Sequence, residues 1–267
     1  MPGQSDTRTD RPDSIASVRS FARGLSVICA FDADHAELSV SDVGRRTGLP
    51  RAAARRFLYT LLELGYVRSN GRLFTLTPRV LELGFSYLSA LSLPEIVQPH
   101  LERLSRAVGQ SVSAAVIDAT DIVYVSRVAT ERIMSVRITI GTRFPAFATS
   151  TGRVLLAGMT ELDATAAVEA STLTPFTDRT ITDPTALHAA LTQIRNQGWA
   201  FVDEELEPGL RSLAAPVRGR NGSVLAAINI SMSTTNTTGG TTEEMLQKYL
   251  PPLLQTASNA EKELRLI

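Results

Sequence analysis

The order of elements between Ser39 and Leu76 constrains the fold more tightly than any other part of the chain. Ser39-Val-Ser-Asp-Val-Gly-Arg-Arg-Thr-Gly48 reads as a short helix, with Ser39 as N-cap and Gly48 closing it. Leu49-Pro50-Arg51 opens a longer helix that runs to about Leu64, the proline standing in its first turn, and Gly65 stops it. Ahead of both, the stretch from Val18 to Phe31 carries Phe21, Leu25, Ile28 and Cys29 at helical spacing. Two short β-rich runs follow, Tyr66-Val67-Arg68 and Leu73-Phe74-Thr75-Leu76, separated by Ser69-Asn70-Gly71-Arg72. Asn-Gly is a strong hairpin signal because both residues tolerate positive φ. A short helix, a Thr-Gly-Leu turn, a longer helix and then a hairpin is the order of a winged helix-turn-helix.

The third helix sorts into two faces. Ala54, Phe57, Leu58 and Leu61 form an apolar stripe, and Arg51, Ala52, Arg55, Arg56 and Tyr59 fall on the other side. Guanidiniums, a phenol and a small residue that permits close approach are what a groove-reading helix needs. A solvated basic face on an ordinary helix explains the same residues, and the hairpin directly after it tips the balance. Arg68 and Arg72 on that hairpin are placed for phosphates or a minor groove. Ser39 and Ser41 stand at the start of the second helix, where backbone phosphates would be met. Residues 1–89 carry 12 arginines against 9 acids, while the whole chain of 267 residues is neutral. Lysine occurs only at Lys248 and Lys262. Arginine suits phosphate and guanine edges, but a GC-rich genome would leave the same mark.

After Thr77-Pro78 a helix is expected through Leu81, Leu83 and Phe85 to about Leu91, and another from Pro94 to Val108 with Leu93, Ile96, Val97, Leu101 and Leu104 on one stripe. From Ser111 the period changes. Ser111–Val116, Asp121–Val128, Ile133–Ile140, Trp199–Val202, Leu213–Val217 and Val224–Ile230 read as strands. Helices are expected after Thr149, over Asp163–Glu169, from Pro184 to Gln197 and from Glu243 to Leu266, and Thr234–Thr242 reads as a loop. The expectation is α+β: residues 1–14 a disordered arm, 15–77 the winged helix-turn-helix domain, 78–92 a helical linker, and 93–267 a domain with an antiparallel sheet and helices packed on it.

Motifs for chemistry are sparse. His35, His100 and His188 are scattered, the single cysteine is Cys29, and no nucleophile elbow, P-loop or dinucleotide fingerprint occurs. No catalytic residue, metal or cofactor is assigned. The run Asp203-Glu204-Glu205-Leu206-Glu207 offers paired carboxylates for an enzyme carrying a DNA-binding appendage. So many acids together must mostly be solvated or paired with arginine. No apolar run reaches the roughly 20 residues of a membrane span, and no leader-like segment opens the chain, so a cytoplasmic protein is expected. Polar residues set into apolar elements are the pocket candidates: Ser150 and Thr151 at a helix start, Ser212 at a strand start, and Asn229 and Ser231 on one face of a strand. Ordinary capping and buried hydrogen bonding account for the same positions. A third reading, a ligand-independent architectural protein, lacks any use for them.

The segment Gly198-Trp-Ala-Phe-Val-Asp-Glu-Glu-Leu-Glu-Pro-Gly-Leu-Arg-Ser-Leu-Ala-Ala-Pro-Val217 resembles the IclR family of transcriptional regulators, and the resemblance spans from about Ser17 to the C-terminus. Tyr124-Val-Ser-Arg-Val, Arg132-Ile-Met-Ser-Val-Arg and Gly141-Thr-Arg-Phe-Pro-Ala-Phe-Ala-Thr-Ser-Thr-Gly-Arg-Val-Leu-Leu-Ala157 are similar to its PcaR/PcaU/PobR-like branch, which controls catabolism of aromatic acids through the β-ketoadipate pathway. The resemblance implies a winged helix plus a GAF-like effector-binding domain, a homodimer or homotetramer, and a palindromic DNA operator. It also implies RNA polymerase as a partner if the protein activates, and no chemistry on the effector. The family's effector contacts fall on Ser150, Thr151, Ser212, Asn229 and Ser231, and one often acidic or serine contact falls on Val202. That departure disfavours a two- or three-carbon acid and favours a carboxylic acid with an apolar body. Arg137 or Arg143 is the candidate for the counter-charge, and surface or structural ion pairs account for the same two residues.

Overall fold

The computed structural model describes residues 19–83, 93–130, 138–234 and 241–265. The chain divides into two compact units, one up to Ser89 and one from Ala90. The expected arm over 1–14, the helix beyond Leu83 as far as Leu91, the strand over 133–137 and most of the loop 234–242 lie outside the described residues.

In the first unit, α1 (Arg19–Cys29), α2 (Val40–Thr47) and α3 (Arg51–Glu63) pack on a small sheet of β1 (Glu37–Leu38), β2 (Val67–Ser69) and β3 (Phe74–Leu76), in the order β1-β3-β2. Its core is Val27, Leu38, Val43, Ala54, Leu58, Val67 and Phe74. Strand β1 has only two residues, too few for any periodicity to show, so the sequence carries no sign of it. Helix α2 begins in a capping box. The Ser39 hydroxyl donates to Asp42 Oδ2 at 2.7 Å and accepts from the Asp42 N–H at 3.3 Å, while the Ser39 N–H donates to Asp42 Oδ2 at 3.1 Å. Pro50 stands at the N-cap of α3 rather than within its first turn. The hairpin turn also departs from the expected chemistry. Gly71 alone takes positive φ (93°). Asn70 instead uses its side-chain carbonyl, which accepts from the Arg72 and Leu73 N–H groups at 3.1 and 2.8 Å, an Asx-type turn. After β3, Pro78–Val80 forms a single 3₁₀ turn and residues 81–83 continue helically.

The second unit is a six-stranded antiparallel sheet between two helical layers. Its strands are β4 (Ser111–Asp118), β5 (Asp121–Val128), β6 (Arg143–Pro145), β7 (Ala200–Asp203), β8 (Leu210–Arg218) and β9 (Val224–Ser233), ordered β6-β5-β4-β9-β8-β7. One face carries Val112, Ala114, Leu213, Ala215, Ile228 and Ile230 and buries against α4 (Leu93–Val108) and α8 (Thr242–Leu264). The other carries Ala115, Ile122, Tyr124, Ala214 and Ala227 beneath α5 (Ser150–Ala157), α6 (Glu161–Ala170) and α7 (Pro184–Gln197). Both β8 and β9 run longer than expected. Ile138–Ile140 is not strand: Gly141, at φ 86°, turns the chain back, and β6 forms after it, paired to β5 through Asp121↔Pro145 to Val123↔Arg143.

Two local features set the helix-bearing face. The β4–β5 register slips between Ala114 and Ala115, so Ala114 faces Ser126 but Ala115 faces Tyr124, leaving Val125 as a bulge. The slip puts Tyr124 and Arg127 on the same face, although they are three positions apart. Gly152 lets α5 seat directly on the 3₁₀ turn Ala146–Ala148, because a Cβ there would collide with the Ala146 backbone.

Replacing the cap hydroxyl by Ser39→Ala is expected to cost the first unit about 1 kcal/mol, measured by urea unfolding. The Ser39 hydroxyl and N–H are also what hold the Asp42 carboxyl below its ordinary range. That contribution is present above the unfolded pKa and is lost as pH falls through the folded one. In Ser39→Ala the Asp42 carboxyl, followed by NMR, is expected to titrate at higher pH than in the parent.

Candidate functional site

Two sites emerge, one in each unit. In the first, the start of α2, the outer face of α3 and the hairpin tip surround an open groove of about 970 Å³. Ser39, Ser41, Arg51, Ala52, Arg55, Arg56, Tyr59 and Arg72 line it, joined by Gly71 and Phe74. Only Arg68 of the nominated set stands elsewhere. It pairs with Thr75, and Thr75 with Glu37, on the face of the small sheet opposite Phe74. Within the groove the Arg55 guanidinium lies 5.4 Å from the Tyr59 ring centroid, and Tyr59 meets Phe74 edge-on at 5.9 Å, so the phenol is braced from two sides. Among the described residues, Arg51, Arg56 and Arg72 make no ion pair. Arg45 and Arg46 are committed to Asp42 and Asp32. The first N–H groups of α2 have no partner within the helix, which adds positive potential at the groove's edge. Convergent uncompensated guanidiniums on an exposed helix are suited to a polyanion with a regular backbone.

The second site lies between α5 and the sheet. Ser150, Thr151, Val202, Ser212, Asn229 and Ser231, six of the eight nominated residues, line one cavity together with Tyr124, Ala148, Thr149, Leu206 and Leu210. The register explains the convergence: Ser231 pairs with Ser212, and Ser212 with Val202, across neighbouring strands. Thr149 caps α5 by accepting from the Gly152 N–H at 3.0 Å, which turns Ser150 and Thr151 inward. Asn229 Nδ2 donates to Ser231 Oγ at 3.0 Å. Yet Ser150 Oγ, Thr151 Oγ1 and Asn229 Oδ1 are buried without a hydrogen-bond partner. Unpaired polar atoms of this kind are rare in protein interiors. Burial pushes the Tyr124 phenol up to about 12, with Arg127 and Thr151 opposing the shift; Thr151 Oγ1 stands near the phenol but outside hydrogen-bond geometry. The phenol therefore stays protonated at neutral pH. The free volume is about 10 Å³, room for one water molecule at most.

The two remaining nominations do not reach the cavity. Arg137 lies outside the described residues. Arg143 pairs with Val123, which packs on the α4–α8 side, so its side chain leaves the sheet on the face away from the cavity. There it binds Asp118 at 2.6 Å and Asp121 at 3.2 Å, and those acids hold its guanidinium above the ordinary value. Tyr124, Leu206 and Leu210 were not foreseen. Tyr124 is hidden by the bulge, and the two leucines look like ordinary core.

The acid run is structural. Asp203 binds Arg211 at 2.5 Å and Arg179 at 2.8 Å. Glu204, at φ 59°, accepts from the Gly209 N–H at 3.0 Å. Glu205 forms a buried two-pronged pair with Arg153 at 2.7 and 2.5 Å, and also accepts from the Ile181 N–H at 2.9 Å. Arg153 Nε donates to the Phe147 carbonyl at 2.7 Å. These contacts strap the β7–β8 loop, which carries Leu206, to the first turn of α5. Two of the histidines are likewise occupied, His35 by Asp32 and His100 between Arg103 and Glu263, and His188 is half-buried on α7. Among the described residues no group of three metal-ligating side chains occurs, and no helix is long and apolar enough to cross a membrane.

Residues 20–71 match the family model described as the IclR helix-turn-helix domain, and residues 85–261 match that of the bacterial transcriptional regulator IclR C-terminal domain. The chain is similar to the Pca regulon regulatory protein of Pseudomonas putida, 43% identical over 92% of this chain and 83% of the relative. It is 35% identical to the p-hydroxybenzoate hydroxylase transcriptional activator of Acinetobacter baylyi, over 90% of each. Among solved structures, an IclR homologue from Microbacterium hydrocarbonoxydans complexed with 4-hydroxybenzoate superposes with a TM-score of 0.81 at 25% identity, covering 93% of this chain and all of that one.

Removing one partner of the buried pair, by Glu205→Gln, is expected to cost about 3–5 kcal/mol in chemical denaturation, because the Arg153 charge stays buried. Replacing both residues by apolar side chains of similar size is expected to recover much of that loss.

Proposed function

The chain belongs to the IclR family of bacterial transcriptional regulators, and from that premise we propose that it binds a palindromic operator through the α2–α3 groove and is controlled by an aromatic carboxylic acid held in the cavity beneath α5. Residues 15–77 then form the DNA-binding domain, 78–92 the linker and 93–267 the effector domain. The relatives named above are regulators and the acid run is fully engaged in structure, so the protein is not an enzyme.

The observation that carries the effector reading is the trio of buried, unpartnered polar atoms, Ser150 Oγ, Thr151 Oγ1 and Asn229 Oδ1, around one cavity. Each is costly to leave unpaired, and a polar ligand offsets all three at once. Val202, Leu206 and Leu210 offer the same ligand an apolar wall. The kinship with a 4-hydroxybenzoate-bound homologue and with Pca-type regulators favours a ring between the two. A ring exceeds the present free volume, so the walls part on binding.

On DNA, Arg51, Arg55, Arg56 and Arg72 meet phosphates and base edges, Tyr59 and Ala52 the groove floor, Ser39 and Ser41 the backbone beside α2, and Arg68 an outlying phosphate. The cytoplasm is the working compartment. A homodimer or homotetramer places two half-sites roughly 34 Å apart, and an activating role would bring RNA polymerase into contact.

The test pairs thermal unfolding with gel-shift assays, using 4-hydroxybenzoate, protocatechuate, β-ketoadipate, muconate, glyoxylate and pyruvate. An aromatic acid at about a hundred times its Kd is expected to stabilise by about 2.7 kcal/mol, and Asn229→Ala to reduce the shift given by a hydroxylated one. A shift with glyoxylate or pyruvate alone would overturn the aromatic reading. Arg56→Ala and Arg72→Ala are each expected to weaken operator binding and to lower the slope of log K against log salt by about 1.

A further inference from the structure

Within the reading of the cavity as an acid-binding site, on which this rests, we propose that Arg127, positioned by Ser113, holds the effector's carboxylate, and that Asn229 Oδ1 takes a hydroxyl at the ligand's other end. The sheet register places the parts. On the face beneath α5, Arg127 pairs with Ser113, Ser113 with Asn229, and Asn229 with Ala214. A second row beside it runs Ser111, Ser231, Ser212 and Val202. The bulge at Val125 turns Arg127 onto this face.

The state of Arg127 is that of a group awaiting an anion. Its Nη1 donates to Ser113 Oγ at 2.9 Å, and Ser113 is fully buried. Its Nε is buried and makes no hydrogen bond. Among the described residues no carboxylate pairs with it, although the arginines around the same walls have theirs: Arg153 holds Glu205, and Arg179 and Arg211 hold Asp203. Arg143 points off the other face. Burial lowers the Arg127 pKa from its ordinary value, and the nearby Tyr124 opposes that, yet a guanidinium remains charged at neutral pH. A planar fork with free donors in a part-buried setting selects a carboxylate.

Asn229, two strands from Arg127 in the same row, supplies the second polar contact. One hydrogen of its Nδ2 goes to Ser231 Oγ, and its carbonyl Oδ1 is left without a partner. A carbonyl oxygen repels a carboxylate and accepts from a hydroxyl. The two ends therefore call for one molecule with an anionic head and a hydroxyl tail, a hydroxylated aromatic acid, lying across Tyr124 and against Val202.

Calorimetric titration of the full chain with 4-hydroxybenzoate, 4-hydroxybenzamide and benzoate tests both ends, protocatechuate and its amide being substituted if that acid binds better. The parent is expected to prefer the acid to the amide. Arg127→Gln is expected to lose about 10- to 100-fold in affinity for the acid, to bind the amide within about threefold of the parent, and so to lose the preference. Arg127→Lys is expected to recover part of it. Asn229→Ala is expected to weaken 4-hydroxybenzoate but leave benzoate unchanged. Melting points of the ligand-free variants against the parent control for folding, since Arg127→Gln also takes the Ser113 hydroxyl's partner away. If Arg127→Gln keeps its affinity for the acid, or loses acid and amide alike, the role given to Arg127 is wrong while the cavity reading stands. If the parent binds none of the acids, the cavity reading itself fails.

Discussion

Taking the Arg153 guanidinium out of water costs several kcal/mol, and what offsets it is a complete set of partners: both Glu205 oxygens and the Phe147 carbonyl. Those partners come from three places in the chain. Arg153 belongs to the first turn of α5, Phe147 to the 3₁₀ turn before it, and Glu205 to the β7–β8 loop. The pair therefore fixes how a helix start and a loop meet over the sheet, and the cavity is the space they leave. Glu205 binds the Ile181 N–H as well, and its own carbonyl accepts from the Thr180 hydroxyl at 2.6 Å, so the loop is held from a further side. Gly152 completes the arrangement, since any side chain there would lift α5 off its seat.

Against this rigid frame the cavity floor is oddly polar. A sheet buried on both faces would be expected to show apolar residues throughout, and the α4–α8 face comes nearer to that, its buried Ser126 being satisfied by Gln98. The α5 face instead carries Ser111, Ser113, Ser212, Asn229 and Ser231, all buried, at one end. Asn229 Nδ2 satisfies Ser231, but Asn229 Oδ1 on the sheet and the Ser150 and Thr151 hydroxyls at the start of α5 above it stay unpaired. An interior that leaves hydroxyls and a carbonyl unpaired forgoes about 1–3 kcal/mol at each. The fold tolerates that loss next to its best-satisfied ion pair. Stability is concentrated in the frame and given up around the cavity, the distribution a binding protein requires when its ligand is to be held by differential pairing rather than by area alone.

Much of this was legible in the sequence wherever the backbone is regular. The amphipathic stripes of α3 and α4, the Ser39 cap, the Thr149 helix start and the i, i+2 pair Asn229 and Ser231 follow from periods of 3.6 and 2. The illegible parts are those where the period breaks. One inserted residue at Val125 moves Tyr124 and Arg127 onto a shared face that alternation would have split. Strand register, which no local pattern encodes, sends Arg143 to the far side. Asn70 satisfies its turn through its side chain instead of its backbone dihedral, and β1 is too short to leave a pattern.

The chain's neutral charge balance conceals how differently its arginines are used. Where an acid faces the guanidinium, the residue ties elements together: Arg46 to Asp32, Arg143 to Asp118 and Asp121, Arg153 to Glu205, Arg211 to Asp203. Arg51, Arg56 and Arg72 in the groove and Arg127 beside the cavity have no such acid among the described residues. Solvation carries the cost for the first three, which are exposed. Arg127 is only part-exposed, and a single hydroxyl is a poor substitute for water around a cation. Composition cannot separate the two classes, because a paired and an unpaired arginine are the same letter. The acids separate them, by where the register and the loops have put carboxylates and where they have left none.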